Sequence, residues 1–343
     1  MLVYGKGSIK KNGVYYAVMN QLKSINAEVF EFDGIKPNPN VDDVNEASEM
    51  GRRNKVDVVL AVGGGSVIDS AKVMTVCIPN QTSAWRVMIR LDKPKKSVPL
   101  IAVLTLAATG TEMNGAAVLT NEEVNKKIGF VHRLMFPKHS FLDPQFTISV
   151  PLNYTAYGVV DLMAHAMENY FGKGEATLTD RFVFSILNEG IAYGPDLLED
   201  LTNYELREKI MFAAAMALSG VTVHGRESGD WGVHSLGHNL SALFDTPHGA
   251  TLSIVYPAWL KYLKDQMPER ISKLGKAVFG TSGPDESILA LEAFFKKLGS
   301  PVRMEEAGIT AEKKDLIIQT MVKNKSGGNN FKLNENDIRA MVD

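Results

Sequence analysis

A change of periodicity near Pro151 constrains the fold of this chain more than any other feature. Before it, short apolar runs alternate with amphipathic stretches. Leu2-Val3-Tyr4, Glu28–Phe32, Val56–Val62 and Val98–Leu104 read as strands of the short, β-branched kind found in buried parallel sheets. Val14–Ser24, Val41–Asn54 and Val67–Ile78 have helical spacing, and strand–helix alternation of this kind implies a parallel sheet with crossover helices. After Pro151 the strand signal disappears. Thr155–Phe171, Leu178–Ala192, Tyr204–Thr222, Val233–Phe244, Thr251–Lys264, Pro268–Phe279 and Ser287–Leu298 all have helical periodicity, punctuated by Gly, Pro and Asn. A chain of 343 residues exceeds what one core usually organises. The expected architecture is therefore a Rossmann-like α/β domain over residues 1–150, followed by an all-helical domain over 151–343.

Composition removes several classes of function. The formal net charge is −2 and no basic cluster alternates with aromatics, so nucleic acid is not an expected partner. Lys93-Pro-Lys-Lys96 reads as solvated surface. A single cysteine, Cys77, sits in an apolar run and reads as a buried, inert thiol. No apolar run is long enough to span a bilayer, and Met1-Leu-Val-Tyr lacks the features of a signal peptide, so a cytoplasmic protein is expected.

In the first half, strand Val56–Val62 runs directly into Gly63-Gly64-Gly65-Ser66-Val-Ile-Asp69 and a helix. Successive glycines let backbone approach a phosphate, and the helix aims its free amides and positive dipole end at the anion. The same glycines can serve only close packing, with Ser66 as N-cap and Asp69 as an acid of the first helical turn. Thr105-Leu-Ala-Ala-Thr109-Gly-Thr111-Glu112 follows the next strand, at the sheet edge where ligands of such folds bind. The first strand ends in Gly5-Lys6-Gly7-Ser8, which offers hydroxyl and ammonium groups and no carboxylate. Such a turn accepts a 2′-phosphate that an acidic residue would repel; its plain alternative is an exposed basic loop.

The helical half holds the second signal. Four of the seven histidines fall in two apolar, helix-like patches, Asp161-Leu-Met-Ala-His165 and His234-Ser-Leu-Gly-His238 running on to His248-Gly249. Residues four apart share a helix face, so each patch can aim two polar side chains at one point. Buried imidazole and carboxylate need partners, and a divalent cation between the helices satisfies them together. Three nitrogens and one carboxylate oxygen suit Zn²⁺ or Fe²⁺. Spacing alone does not say which of the three later histidines bind.

Taken together, these motifs resemble the iron-containing (group III) alcohol dehydrogenase family, in particular its branch of butanol dehydrogenases and NADPH-dependent aldehyde reductases. The matching features are the Gly5–Lys11 turn, Gly63-Gly-Gly-Ser-x-x-Asp69, Thr109-Gly-Thr-Glu112, Leu142-Asp-Pro144, Gly158-Val-Val-Asp161-x-x-x-His165, Gly229-Asp-Trp231 and His234 to His248. The resemblance implies a dehydroquinate synthase-like fold and a homodimer. It implies Asp161, His165, His234 and His248 as metal ligands, with His238 a non-ligand that exchanges protons with solvent. It places the cofactor pyrophosphate on Gly63, Gly64, Gly65 and Ser66, adds Asp69, Thr105, Thr109 and Lys127 as nucleotide contacts, and favours NADP(H) over NAD(H) at Gly5, Lys6 and Ser8. The family usually carries a further N-terminal segment with a strand, whose absence is expected to expose a sheet edge. Lys6 stands where the branch more often has glycine.

The expected reaction is interconversion of a primary alcohol and an aldehyde, with the cofactor in an interdomain cleft and the metal polarising the carbonyl. Two alternatives share the fold. One is a glycerol or diol dehydrogenase. The other is a lyase of the dehydroquinate-synthase type, which needs a cationic cluster where this sequence offers chiefly Arg226.

Overall fold

The computed structural model of the chain describes residues 1–342. Two compact units are present, Met1–Val150 and Pro151–Asp343.

The first unit contains β1 (Leu2–Gly5), α1 (Ser8–Lys11), α2 (Val14–Ser24), β2 (Glu31–Ile35), α3 (Val41–Arg53), β3 (Val59–Gly63), α4 (Gly65–Asn80), α5 (Ala84–Met88), β4 (Leu100–Leu104), β5 (Ala116–Asn121), β6 (Lys126–Val131) and β7 (His139–Leu142). Five strands form a wholly parallel sheet in the order β2-β1-β3-β4-β7, with β2 and β7 outermost. The carboxyl ends of β1, β3 and β4 are therefore neighbours, and the three turns singled out in the sequence emerge side by side. α4 is buried from Val67 to Ile78, as its nearly continuous apolar sequence requires. Cys77 is free and buried there, and burial pushes its thiol up to about 12.

Several boundaries differ from the sequence reading, each for a local reason. β2 begins at Glu31 rather than Glu28, because pairing with β1 starts at Leu2 opposite Glu31, and it runs on through Gly34 at φ 86°. β3 begins at Val59, because the Val56 amide instead closes the C-terminus of α3 on Gly51 O. The antiparallel hairpin β5–β6 and the edge strand β7 were not expected from the sequence. Lys126, Lys127 and Gly129 in β6 and His139-Ser140 in the four-residue β7 are poor strand formers.

The second unit is built from α6 (Leu152–Tyr170), α7 (Thr177–Glu199), α8 (Tyr204–Ala217), α9 (Gly232–Phe244), α10 (His248–Leu263), α11 (Pro268–Val278), α12 (Pro284–Lys297), α13 (Lys314–Lys323) and α14 (Glu335–Val342). α6 is its centre, buried almost without interruption from Thr155 to Tyr170 and packed by α7, α8, α9 and α10. α8 stops at Ala217 rather than Thr222, where Gly220 at φ 103° turns the chain. α10 begins at His248 itself, three residues before the expected start. α13 and α14 lie beyond the last helix read from the sequence. No helix among the described residues is long and apolar enough to cross a membrane.

Candidate functional site

In the second unit the two histidine patches converge. Asp161 and His165 lie one turn apart on α6, with His165 Nδ1 3.5 Å from Asp161 Oδ1. His234, in the first turn of α9, brings Nε2 to 3.8 Å from the same oxygen, and His248, the first residue of α10, brings Nε2 to 3.7 Å. Asp161, His234 and His248 each present a donor atom, and the three atoms lie within 4.8 Å of one another. His165 stands beside this trio, its ring stacked on that of His234 with centroids 4.7 Å apart. His238, one turn along α9, is not part of the trio; its ring centre is 5.5 Å from that of His248 and 6.2 Å from that of His234.

The helices meet this closely because small residues line the contact. A Cβ on Gly232 would lie 2.2 Å from the Trp259 ring of α10, and one on Gly249 would lie 2.3 Å from Tyr157 O of α6. Trp231, just before α9, is held at φ 67°, a conformation that a bulky residue rarely adopts, with its ring against His165 and His234.

The donor atoms gathered here suit a cation. Asp161 Oδ1, His165 Nδ1 and His234 Nε2 are buried without hydrogen-bond partners, and unsatisfied polar atoms gathered at one point are costly unless something charged joins them. Burial and the neighbouring His234 hold His165 down to about 4, against the pull of Asp161. Burial opposes charge on His234 as well, yet Asp161 and Glu168 outweigh it and raise that imidazole to about 9. A carboxylate oxygen with imidazole nitrogens is a donor set that fits Fe²⁺ or Zn²⁺.

Glu168 was not singled out in the sequence. It is buried on α6, and its Oε1 accepts from the His234 backbone N–H at 2.9 Å and meets His234 Nδ1 at 3.0 Å. The available signal was its position seven residues after Asp161 and three after His165, on the same face. A cavity of about 500 Å³ beside the start of α10, lined by Tyr157, Phe244, Pro247, Lys296 and Ser300 among others, contains none of the four expected ligands.

In the first unit, β3 ends at Gly63 and α4 starts at Gly65, with Gly64 as an N-cap that makes no side-chain hydrogen bond. This corrects the alternative that Ser66 caps the helix; Ser66 lies inside it. The glycines are required sterically, since a Cβ on Gly63 would lie 2.5 Å from Val67 and one on Gly65 2.8 Å from Thr109. Thr109 is thereby pressed against the turn, and the Thr105 amide donates to Gly63 O. After β1, Gly7 adopts φ 105° and leaves Lys6 and Ser8 exposed. Lys127 reaches the segment after β2, donating to Asn38 Oδ1 at 2.7 Å.

Asp69 is placed differently from the expected nucleotide contact. Its carboxylate points into the unit, accepting from Thr111 Oγ1 and from the Val118 amide. It ties α4 to the loop after β4 and to β5. Lys72, one turn on, is buried and donates to Thr111 O and Oγ1, Asn114 Oδ1 and Ala116 O, bracing the same loop.

Comparison with known proteins gives this geometry its context. Residues 1–144 match the model of the iron-containing alcohol dehydrogenases, and residues 155–343 match the C-terminal model of the same family. The chain is 39% identical over 351 residues to a Bacillus subtilis (strain 168) protein named probable NADH-dependent butanol dehydrogenase 1, covering 100% of this chain and 90% of that protein. It is 36% identical over 319 residues to the NADPH-dependent aldehyde reductase YqhD of Escherichia coli (strain K12), covering 90% of this chain and 82% of the relative. Among solved structures, the NADH-dependent butanol dehydrogenase A of Thermotoga maritima superposes with a TM-score of 0.96 at 37% identity, covering 99% of this chain and 89% of that one. The chain belongs to the iron-containing alcohol dehydrogenase family and is a metal- and nicotinamide-dependent oxidoreductase that interconverts alcohols and aldehydes.

Proposed function

We propose that the chain acts on short primary alcohols and their aldehydes, of which butanol and butanal are examples, with NADP(H) preferred. Its metal is iron or zinc, held by Asp161, His165, His234 and His248. The observation that carries this reading is the meeting of buried, unpartnered Asp161 Oδ1, His165 Nδ1 and His234 Nε2 in one place. The bound cation supplies a Lewis acid for the carbonyl oxygen, and the nicotinamide supplies or accepts the hydride. Trp231, packed on His165 and His234, gives the site an apolar wall suited to an alkyl substrate. His238 is half-buried beside His248, a position from which an imidazole can pass a proton between solvent and the substrate oxygen.

The nucleotide lies on Gly63–Ser66, with Thr105, Thr109 and Lys127 around it. Preference for the 2′-phosphate rests on the charges at the carboxyl ends of β1 and β2, where Lys6, Ser8 and Lys36 are exposed and Gly5–Ser8 and Lys36–Asn40 carry no carboxylate. Relatives named for NADH and for NADPH are both known. A lyase acting on an anionic substrate fits poorly. Arg226, the cation nearest in sequence to the α9 ligands, is buried in an ion pair with Asp180. The resemblance also carries a homodimer, which light scattering checks, and the cytoplasmic location expected from the sequence is checked by cell fractionation.

The test is cofactor turnover by metal-reconstituted protein with butanal, glycerol and a phosphorylated keto acid, each with NADPH and NADH. Butanal-dependent oxidation of NADPH with iron or zinc supports the reading. Turnover confined to the keto acid, or metal-independent turnover, overturns it.

A further inference from the structure

Asp161, His165 and Glu168 form one stripe of α6, and the last of them touches the centre only through another residue. Glu168 is fully buried, and a single oxygen, Oε1, receives both the backbone N–H and the Nδ1 side of His234. A carboxylate is an acceptor here, so Nδ1 carries a hydrogen and Nε2 is the nitrogen left to offer a lone pair. That Nε2 is the buried atom without a partner, facing Asp161 Oδ1. Binding the ring and its own backbone to one oxygen also fixes the imidazole's rotation against the start of α9. The Asp230 amide in turn donates to Glu168 O, tying the approach to α9 onto α6.

We propose that Glu168 is the positioning residue of the metal centre: it selects the tautomer and orientation of His234 and thereby sets the centre's affinity for a divalent cation. The inference rests on the ligand assignment above. Its competitor is purely structural, with Glu168 serving only as a remote cap for the amides opening α9. Loss of a cap changes stability and leaves the coordination of a bound ion alone. Loss of the partner of a ligating imidazole typically weakens metal binding by about 10–100-fold.

The two are separated by titrating Co²⁺ into the metal-free full chain against a competing chelator, following its visible absorption, in wild type, Glu168→Ala and Glu168→Asp. The aspartate keeps the charge but withdraws the oxygen from Nδ1 by one methylene, and it decides the matter if the alanine variant does not fold. Both variants are expected to bind Co²⁺ about 10–100-fold more weakly, with an altered spectrum, while melting cooperatively. Wild-type affinity and spectrum in a folded variant overturn the proposal. If wild type itself takes up no Co²⁺, or takes it up equally after Asp161→Ala, the ligand assignment fails instead.

Discussion

The closeness of α9 and α10 makes Gly232→Ala an informative perturbation. The added Cβ would fall 2.2 and 2.3 Å from two ring carbons of Trp259, where ordinary contact begins near 3.4 Å. Trp259 is only 1% exposed, so its rigid ring has nowhere to turn. The helices must part by about 1 Å, and overpacking of this kind costs about 1–3 kcal/mol. For a unit of this size each kcal/mol lowers Tm by about 2–4 °C, so a fall of roughly 2–12 °C is expected. The same displacement separates His234 on α9 from His248 on α10. Coordination distances tolerate only about 0.2 Å, so cation affinity should drop by at least about tenfold. Calorimetry of the metal-free protein and metal content after dialysis against a weak chelator measure the two effects. A variant that melts with wild type and keeps its metal refutes the reasoning, because it would mean that the helix contact does not set the ligand geometry.

Other expectations follow from the same structure. His238→Ala should retain its metal while losing turnover and shifting the pH profile of kcat; unchanged kinetics would remove His238 from proton transfer. Asp180 pairs with Arg226, Arg270 and Lys273, and the Arg226 side chain is wholly buried. Asp180→Ala should therefore cost about 3–5 kcal/mol in chemical denaturation, and a loss below 1 kcal/mol would contradict that. Burial pushes Lys72 down from 10.5 to about 8, against Asp69 and Glu112. Between those values the unfolded chain holds a proton that the folded chain has released, so stability rises with pH across the window. Relative to Lys72→Met, the wild type should gain on the order of 1–3 kcal/mol from pH 8 to pH 10.5, and a flat difference would refute the shift.

How much of this was legible in the sequence depended on whether periodicity or partner geometry carried the information. α2 and the cores of α6 and α9 follow from apolar spacing, and the glycine turn follows from its place between a strand and a helix. The hairpin β5–β6 escaped because Lys126-Lys127-Ile-Gly129 pairs through backbone bonds that its side chains do not advertise. Asp69 read as an acid of the first helical turn or a nucleotide contact; only the fold shows Thr111 and Val118 donating to its oxygens. Spacing placed Asp161 and His165 on one face, but it could not reveal that Glu168, on the same stripe, meets His234 from a distant helix. Nor could spacing separate His238 from His248, since both lie near His234 and only the start of α10 decides which nitrogen faces Asp161.

The central claim is that one divalent cation is shared by side chains of α6, α9 and α10. Anomalous diffraction at the iron and zinc edges from crystals of the metal-loaded protein tests it most directly. A single strong peak is expected about 2.0–2.2 Å from Asp161, His165, His234 and His248. A peak elsewhere, or one that leaves out Asp161, His234 or His248, would contradict it.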